Sequence, residues 1–285
     1  MKNLRRLINS KTKPLVIPGV YDAIGAKIAE KVGFDAMFQT GYGTSATLLG
    51  MPDYGFIGAS ETLDNARRIS SAISVPLIVD VDTGYGNALT VRKLVQELES
   101  AGASGVFLED QKWPKRCGHM KGKDIISKEE YAEKLQSAID AKSSKDFIIV
   151  ARTDARAIEG LDMAIERGNY YKKIGADVIF VEAPKSIEEM KKIGKSINAP
   201  LVANMIEGGA TPISSTEKLY GMGYRIILYP LSILYANTFA TLKILHELKN
   251  KGTTKKLKNN LVRFDQFNDI VELSKYIKLE NRYSK

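Results

Sequence analysis

Short apolar runs recur along the chain, each followed by a longer amphipathic stretch. Eight of them read as strands: Leu15 to Pro18, Asp35 to Gln39, Leu77 to Asp82, Gly105 to Glu109, Phe147 to Arg152, Asp177 to Glu182, Pro200 to Asn204, and Arg225 to Tyr229. Runs such as LIVDVD and FIIVAR are apolar nearly throughout, which suits parallel strands covered on both faces. Helical patterns lie between them, for example Thr90 to Ser100, Lys128 to Lys142, Gly160 to Ile174 and Ser186 to Ile197, with Gly102, Gly175 and Gly223 near their ends as stops. Eight strand–helix units in roughly 230 residues predict a closed (β/α)8 TIM-type barrel. An open doubly wound sheet fits less well, because no GxGxxG follows the first strand. The expected organisation is one barrel domain over 1–285. It carries a C-terminal helical extension over 233–285: a helix from Ile233 to Lys249, a polar basic link and a last helical segment. An appendage of that kind packs on a neighbouring subunit.

Composition adds little to this picture but excludes several function classes. A hydrophobic content of 44% is ample for a buried core. No apolar run reaches the ~18 residues needed to cross a bilayer, and the opening MKNLRRLINSKTK has charge without an apolar segment behind it. The expectation is a cytoplasmic protein with no membrane partner. The single cysteine forms no internal disulfide, which suits a reducing compartment. The net charge of +9 comes from scattered residues. Its densest cluster, Lys249 to Lys258, has no interleaved aromatics, so it reads as solvated surface and not as a nucleic-acid site.

In a barrel of this kind the active site lies at the C-terminal ends of the strands, and here those ends are unusually polar. Strand three ends in Asp80 and Asp82, strand four in Glu109 and Asp110, strand five in Arg152 and Asp154, strand six in Glu182, and strand seven in Asn204 followed by Glu207. Alternation along a strand points Asp80 and Asp82 to the same side. Carboxylates converging on one rim repel each other unless a cation neutralises them, and a divalent ion is the simplest resolution. All-oxygen donors favour Mg²⁺, with Mn²⁺ as the alternative, over zinc. The expected metal set is Asp82 as a direct ligand, with Asp80 and Glu109 acting partly through water. The loop EDQKWPKRCGHMKGK holds the only Cys, Cys117, beside His119. In so polar a loop the thiol is expected to be exposed, with its pKa lowered by cationic neighbours and able to donate a proton or act as a nucleophile.

These residues resemble the isocitrate lyase and phosphoenolpyruvate mutase superfamily from about Pro18 to Tyr283. The matching stretches are PGVYDA, TGYGTSATLLGMPDYG, VDVDTGYGN, EDQKWPKRCGHMKGK, ARTDA, EGLDMAIERG, FVEAP and ANMIEGGATP. The KRCGH loop is specific to the carbon–carbon lyase branch. The resemblance implies Mg²⁺ bound through Asp80, Asp82 and Glu109, with Asp53 nearby. It also implies a 2-hydroxycarboxylate substrate held by Thr40, Gly41, Tyr42, Arg152, Glu182 and Asn204. Cleavage would be a retro-aldol (reverse Claisen) reaction with Cys117 as the acid. Lys115, Arg116 and His119 would bind carboxylate or tune the thiol, and Gly118 would let the loop close. It further implies a homotetramer, a dimer of dimers with helices swapped between subunits.

Departures within the family bear on the substrate. FQTGYG and IEGG stand where methylisocitrate lyases usually read YLSGGG and TEFG, so Phe38 lacks a hydroxyl, and with the C-terminal segment they look more like the 2,3-dimethylmalate and petal-death type lyases. Phe180 and the run Leu228 to Pro230 are shared with methylisocitrate lyases instead. The expected reaction is cleavage of 2-methylisocitrate, isocitrate or 2,3-dimethylmalate to pyruvate or glyoxylate plus a second acid. Oxaloacetate hydrolysis or decarboxylation, or a phosphonate-forming mutase reaction, is the enzymatic alternative. An organic-acid-binding barrel is the non-enzymatic one.

Overall fold

Side chains alternate inward and outward along a strand, and in this sequence the inward set is large and apolar on strand after strand. The computed structural model describes residues 3–120 and 122–284. In it, β1 (Leu15–Val20), β2 (Met37–Gln39), β3 (Leu77–Asp80), β4 (Gly105–Glu109), β5 (Ile148–Thr153), β6 (Val178–Val181), β7 (Leu201–Asn204) and β8 (Tyr224–Tyr229) form a closed barrel of neighbours in sequence order. All pairings are parallel, and β1 closes on β8 with Leu15 opposite Ile226. The expected (β/α)8 barrel is therefore present.

Two hydrophobic layers hold it. Inside the barrel pack Ile17, Phe38, Ile78, Phe107, Ile148, Val150, Phe180, Val202, Ile226 and Leu228. Leu4 and Ile8 of the short helix Leu4–Ile8 join this interior layer. The residues between them in sequence, such as Val79, Val106, Leu108, Ile149, Ile179 and Ala203, point outward against the surrounding helices. Each fully buried Leu, Ile or Phe contributes roughly 1.5–3 kcal/mol, so the alternation itself carries much of the stability.

Several boundaries differ from the sequence reading. β2 and β6 are shorter than expected, β1 runs on to Val20, and β8 starts at Tyr224. The third strand stops at Asp80, because Asp82 takes a left-handed conformation with φ of 49°. Asp80 and Asp82 still face the same place, since a Cβ on Gly41 would lie 3.0 Å from Asp80 Oδ2 and 3.4 Å from Asp82 Oδ1, but the left-handed turn and not strand alternation brings them together. Gly102, Gly175 and Gly223 lie at helix ends with positive φ, as expected of stops. The sequence reading did not single out the helices Ala23–Val32, Gly41–Leu49, Ala59–Ala72 and Thr216–Gly221.

After β8 the chain forms the long helix Ser232–Lys251, a 3-10 turn at Lys255–Asn260, and the helices Phe264–Ile270 and Leu273–Tyr283. None of these elements has a buried residue. No helix among the described residues is long and apolar enough to cross a membrane.

Candidate active site

The site continues the inward face of the barrel by one more step. Two residues beyond the inward Phe38, Ile78, Phe107, Val150, Phe180, Val202 and Leu228 stand Thr40, Asp80, Glu109, Arg152, Glu182, Asn204 and Pro230. Polar groups thus replace apolar ones at the strand ends. There a 40 Å³ cavity is lined by Thr40, Tyr42, Asp53, Asp80, Cys117, Gly118, His119, Arg152, Phe180, Glu182, Asn204 and Pro230, together with Phe38, Phe107, Ile206, Leu228 and Leu231. Of the residues expected at the site, Gly41, Asp82, Glu109 and Lys115 stand just behind this lining. Thr40 caps the helix Gly41–Leu49, and the free N–H of Gly41 donates to Asp80 Oδ2 at 3.3 Å.

Three loops meet over the cavity. Lys115 Nζ reaches Asp53 Oδ1 at 2.5 Å, and the Cys117 N–H donates to the Asp53 carbonyl at 3.2 Å. Arg116 lies over the Tyr54 ring, its guanidinium carbon 5.5 Å from the ring centre. From the loop after β7, the Ala210 N–H donates to His119 Nδ1 at 2.9 Å. That bond assigns the ring proton to Nε2, which lies 3.2 Å from Glu182 Oε1. Gly118 is required where it stands, because a Cβ there would lie 2.4 Å from Arg152 Nη2 and 2.6 Å from Glu182 Cγ. Glu207 turns away and accepts from the Ser232 hydroxyl.

These contacts overturn the expected exposure of Cys117. The residue is half-buried, and burial pushes its thiol up to about 11, which an N–H from His119 only partly offsets and Asp53 reinforces. Arg152 lowers it, as expected of a cationic neighbour, but by less than burial raises it. The thiol is protonated at neutral pH, which suits a proton donor better than a thiolate nucleophile.

The charges are arranged in chains of ion pairs. Arg152 Nε bonds Asp154 Oδ2 at 2.9 Å, while its Nη2 lies 3.2 Å from Glu109 and 3.3 Å from Glu182. Lys115 Nζ also stands 2.6 Å from Asp82 Oδ1, and Lys123 Nζ stands 2.6 Å from Asp154 Oδ1. Burial raises Glu182, but Arg152 and His119 together pull it below the usual carboxylate range. Burial raises Asp80 and Glu109, and it lifts Asp82 to about 7 despite Lys115. The sequence argument gave the whole task of neutralisation to a metal ion. Buried cations already do part of it.

The remainder fits Mg²⁺. Among the described residues, six carboxylates surround the cavity (Asp53, Asp80, Asp82, Asp154, Glu109, Glu182) against three full cations, Lys115, Lys123 and Arg152. Glu109 Oε1 is a buried acceptor without a hydrogen bond, while Asp82 Oδ1 has the Lys115 ammonium 2.6 Å away. No three acidic, His or Cys side chains among the described residues converge to direct ligand distance. That spacing suits an ion that keeps several waters and is held largely through them.

The sequence reading missed Phe107, Ile206, Leu231 and Lys123. Phe107 was detectable from the alternation Gly105, Phe107, Glu109, whereas nothing local marks the other three.

A family model described as phosphoenolpyruvate phosphomutase matches residues 4–249. The chain is 45% identical over 281 residues to 2,3-dimethylmalate lyase of Eubacterium barkeri, covering 99% of this chain and 97% of that one. It is 47% identical over 274 residues to the chloroplastic carboxyvinyl-carboxyphosphonate phosphorylmutase of Arabidopsis thaliana, covering 95% and 81%. A solved phosphonopyruvate hydrolase complex with oxalate and Mg²⁺ superposes with a TM-score of 0.89 at 27% identity, covering 99% of this chain and 98% of that one.

Proposed function

Because the chain belongs to the phosphoenolpyruvate mutase/isocitrate lyase superfamily of enzymes, we propose that it is a carbon–carbon lyase for an alkyl-substituted 2-hydroxydicarboxylate. The observation that carries this reading is the half-buried Cys117 thiol lining one chamber with Asp53, Asp80, Glu182 and Arg152. Relatives bear both lyase and mutase names. A lyase needs a proton for the carbanion it creates, whereas moving a phosphorus group does not, so the thiol favours the lyase.

Asp82, with Asp80 and Glu109 acting through water, would hold Mg²⁺, which when bound supplies positive charge to the oxygens of the substrate's 2-hydroxycarboxylate. Arg152 binds a substrate carboxylate through its fork, which Asp154 orients. Thr40, Gly41, Tyr42 and Asn204 complete the polar side. As the hydroxyl gives its proton to solvent, the C2–C3 bond breaks. Its electron pair passes to C3, next to the second carboxylate, and C3 takes the proton of the Cys117 thiol. The products are an α-keto acid and a carboxylic acid, and solvent returns a proton to the thiolate. His119 and Glu182 hold the Cys117 loop over this centre, and Lys115 fixes it to Asp53.

The remaining wall, Phe38, Phe107, Phe180, Ile206, Leu228 and Leu231, is apolar. Arg152 is the one cationic side chain lining the chamber among the described residues. This favours alkyl groups over a third carboxylate, hence 2,3-dimethylmalate over 2-methylisocitrate or isocitrate. With Mg²⁺, the purified protein is expected to release pyruvate from 2,3-dimethylmalate, read by reduction with lactate dehydrogenase, and to lose this activity in EDTA. Oxaloacetate and phosphonopyruvate serve as controls for the hydrolase and mutase chemistries. No keto acid from any of the three hydroxy acids would sink the lyase reading.

Oligomerisation is the second part of the proposal. The C-terminal helices expose Phe239 at 70% and Phe264 at 85%, with Leu242, Leu245 and Tyr276 also exposed. An apolar surface of this kind suits burial against other subunits, and we assign it to a homotetramer. Light scattering is expected to give four times the 31.5 kDa chain mass; a monomer at micromolar concentration would contradict it.

A further inference from the structure

The closed chamber, at 40 Å³, is far smaller than the roughly 300–1,000 Å³ of ordinary ligand pockets, so the loop carrying Cys117 must open for a substrate to enter. What holds it shut is therefore part of the mechanism. The two ends of this loop are fixed to the barrel. Asp110 accepts from the Tyr171 hydroxyl at 2.8 Å and from the Asp154 N–H at 2.9 Å, and the Ile126 N–H donates to the Asp110 carbonyl at 3.0 Å. Between them, Gly118 is latched by a residue that the proposed chemistry does not use.

That residue is Lys123. Its side chain is 2% exposed although it belongs to a surface loop. Its ammonium donates to the Gly118 carbonyl, between Cys117 and His119, and to Asp154 Oδ1 at 2.6 Å. Asp154 is also the carboxylate that orients Arg152, through Oδ2 at 2.9 Å and Oδ1 at 3.3 Å. One ammonium thus ties the backbone carrying the thiol to the carboxylate that aims the guanidinium. Gly118 lies directly against Arg152 and Glu182, so the closed loop and the aligned Arg152 belong to one arrangement.

We propose that Lys123 is a positioning residue: its ammonium latches the Gly118 carbonyl to Asp154, so that closure of the Cys117 loop and alignment of Arg152 occur together. The inference rests on the reading that this chamber is the reaction site, but its test needs no substrate. Cys117 is the chain's only cysteine, so alkylation of the full-length, ligand-free protein by a maleimide reports opening at that one position. In Lys123→Met the labelling rate under native conditions is expected to rise about tenfold, because a local opening equilibrium has lost its latch. The urea midpoint is expected to fall, since the buried Asp154 keeps one cation fewer, while the labelling rate at low urea is expected not to vary with urea, which marks a local opening. The shape of the labelling pH profile is expected to stay as in the parent. Lys123→Arg, which keeps the charge and donors, is expected to label within about threefold of the parent.

Labelling of Lys123→Met at the parent rate would overturn the proposal. So would labelling that rises with urea as global unfolding does, since that marks a merely structural role. If Lys123→Met does not fold, Lys123→Gln, which keeps a donor for the Gly118 carbonyl, replaces it. Faster labelling of Lys123→Gln supports the latch and the parent rate overturns it. A protein that passes this test but releases no keto acid retains the latch and loses the lyase reading.

Discussion

Cys117→Ser is expected to lower keto acid release by about 10²–10⁴-fold, the range in which a positioned proton donor contributes. A hydroxyl has nearly the size of a thiol but is a far weaker acid, so the variant keeps the packing and loses the transferable proton. The half-buried site, where the Cys117 N–H meets the Asp53 carbonyl at 3.2 Å, accepts serine without rearrangement. Mg²⁺ binding, read as a thermal shift, is therefore expected to match the parent. The pH behaviour sharpens the test. Burial pushes the thiol up from 9.0 to about 11, so the folded protein holds this proton more tightly than the unfolded chain does. The associated stability is fully present below pH 9 and is lost as pH rises toward 11. The parent is expected to lose stability across that window relative to Cys117→Ser, which has no thiol to ionise. Turnover within tenfold of the parent would remove Cys117 from the role of acid.

What the sequence conveyed about the site follows the range of the forces involved. Strand alternation is a local property, and it carries Asp80, Glu109, Arg152, Glu182 and Asn204 to the chamber as the next inward positions after Ile78, Phe107, Val150, Phe180 and Val202. Asp82 escapes that rule because its backbone turns left-handed just past the strand. The environment of Cys117 was misread for a different reason. A loop rich in Lys, Arg and Gly reads as exposed, yet Asp53, 64 positions earlier, and Ala210, 93 positions later, belong to the loops that close around it. Lys123 was one lysine among several in its loop, and its distinction lies in reaching Asp154, 31 positions away. Even the metal argument needed the fold, since Lys115 and Arg152 already compensate part of the acid cluster. The helices that formed without being singled out, such as Gly41–Leu49 with its two glycines and two threonines, have weak intrinsic propensity and depend on packing.

The Arg152→Met variant is expected to lose about 3–5 kcal/mol of stability at neutral pH, the usual cost of removing one partner from a buried ionic cluster. For a domain whose whole stability is about 5–15 kcal/mol, this is a large fraction. The cause is specific: one guanidinium serves Glu109 at 3.2 Å, Asp154 at 2.9 Å and Glu182 at 3.3 Å. Lys123 still partners Asp154, and His119 remains near Glu182, but neither replaces the fork. Burial raises Asp154 and Glu182, while Arg152, helped by Lys123 and His119, holds both below the usual carboxylate range. Their contribution is therefore present above the unfolded carboxylate values near pH 4 and is lost as pH falls further. Without Arg152 the same carboxyls take up protons near or above those values, so neutral pH penalises the variant and acid relieves it. Urea unfolding is expected to show the gap between variant and parent at its widest near pH 7.5 and markedly narrower near pH 4. Arg152→Lys restores a charge without the planar fork, and is expected to recover stability while turnover stays low by orders of magnitude. A gap under about 1 kcal/mol, or one independent of pH, would mean that Arg152 does not govern the charge of this chamber, because a buried carboxyl pair that loses the guanidinium between them must either ionise at a cost or take up a proton.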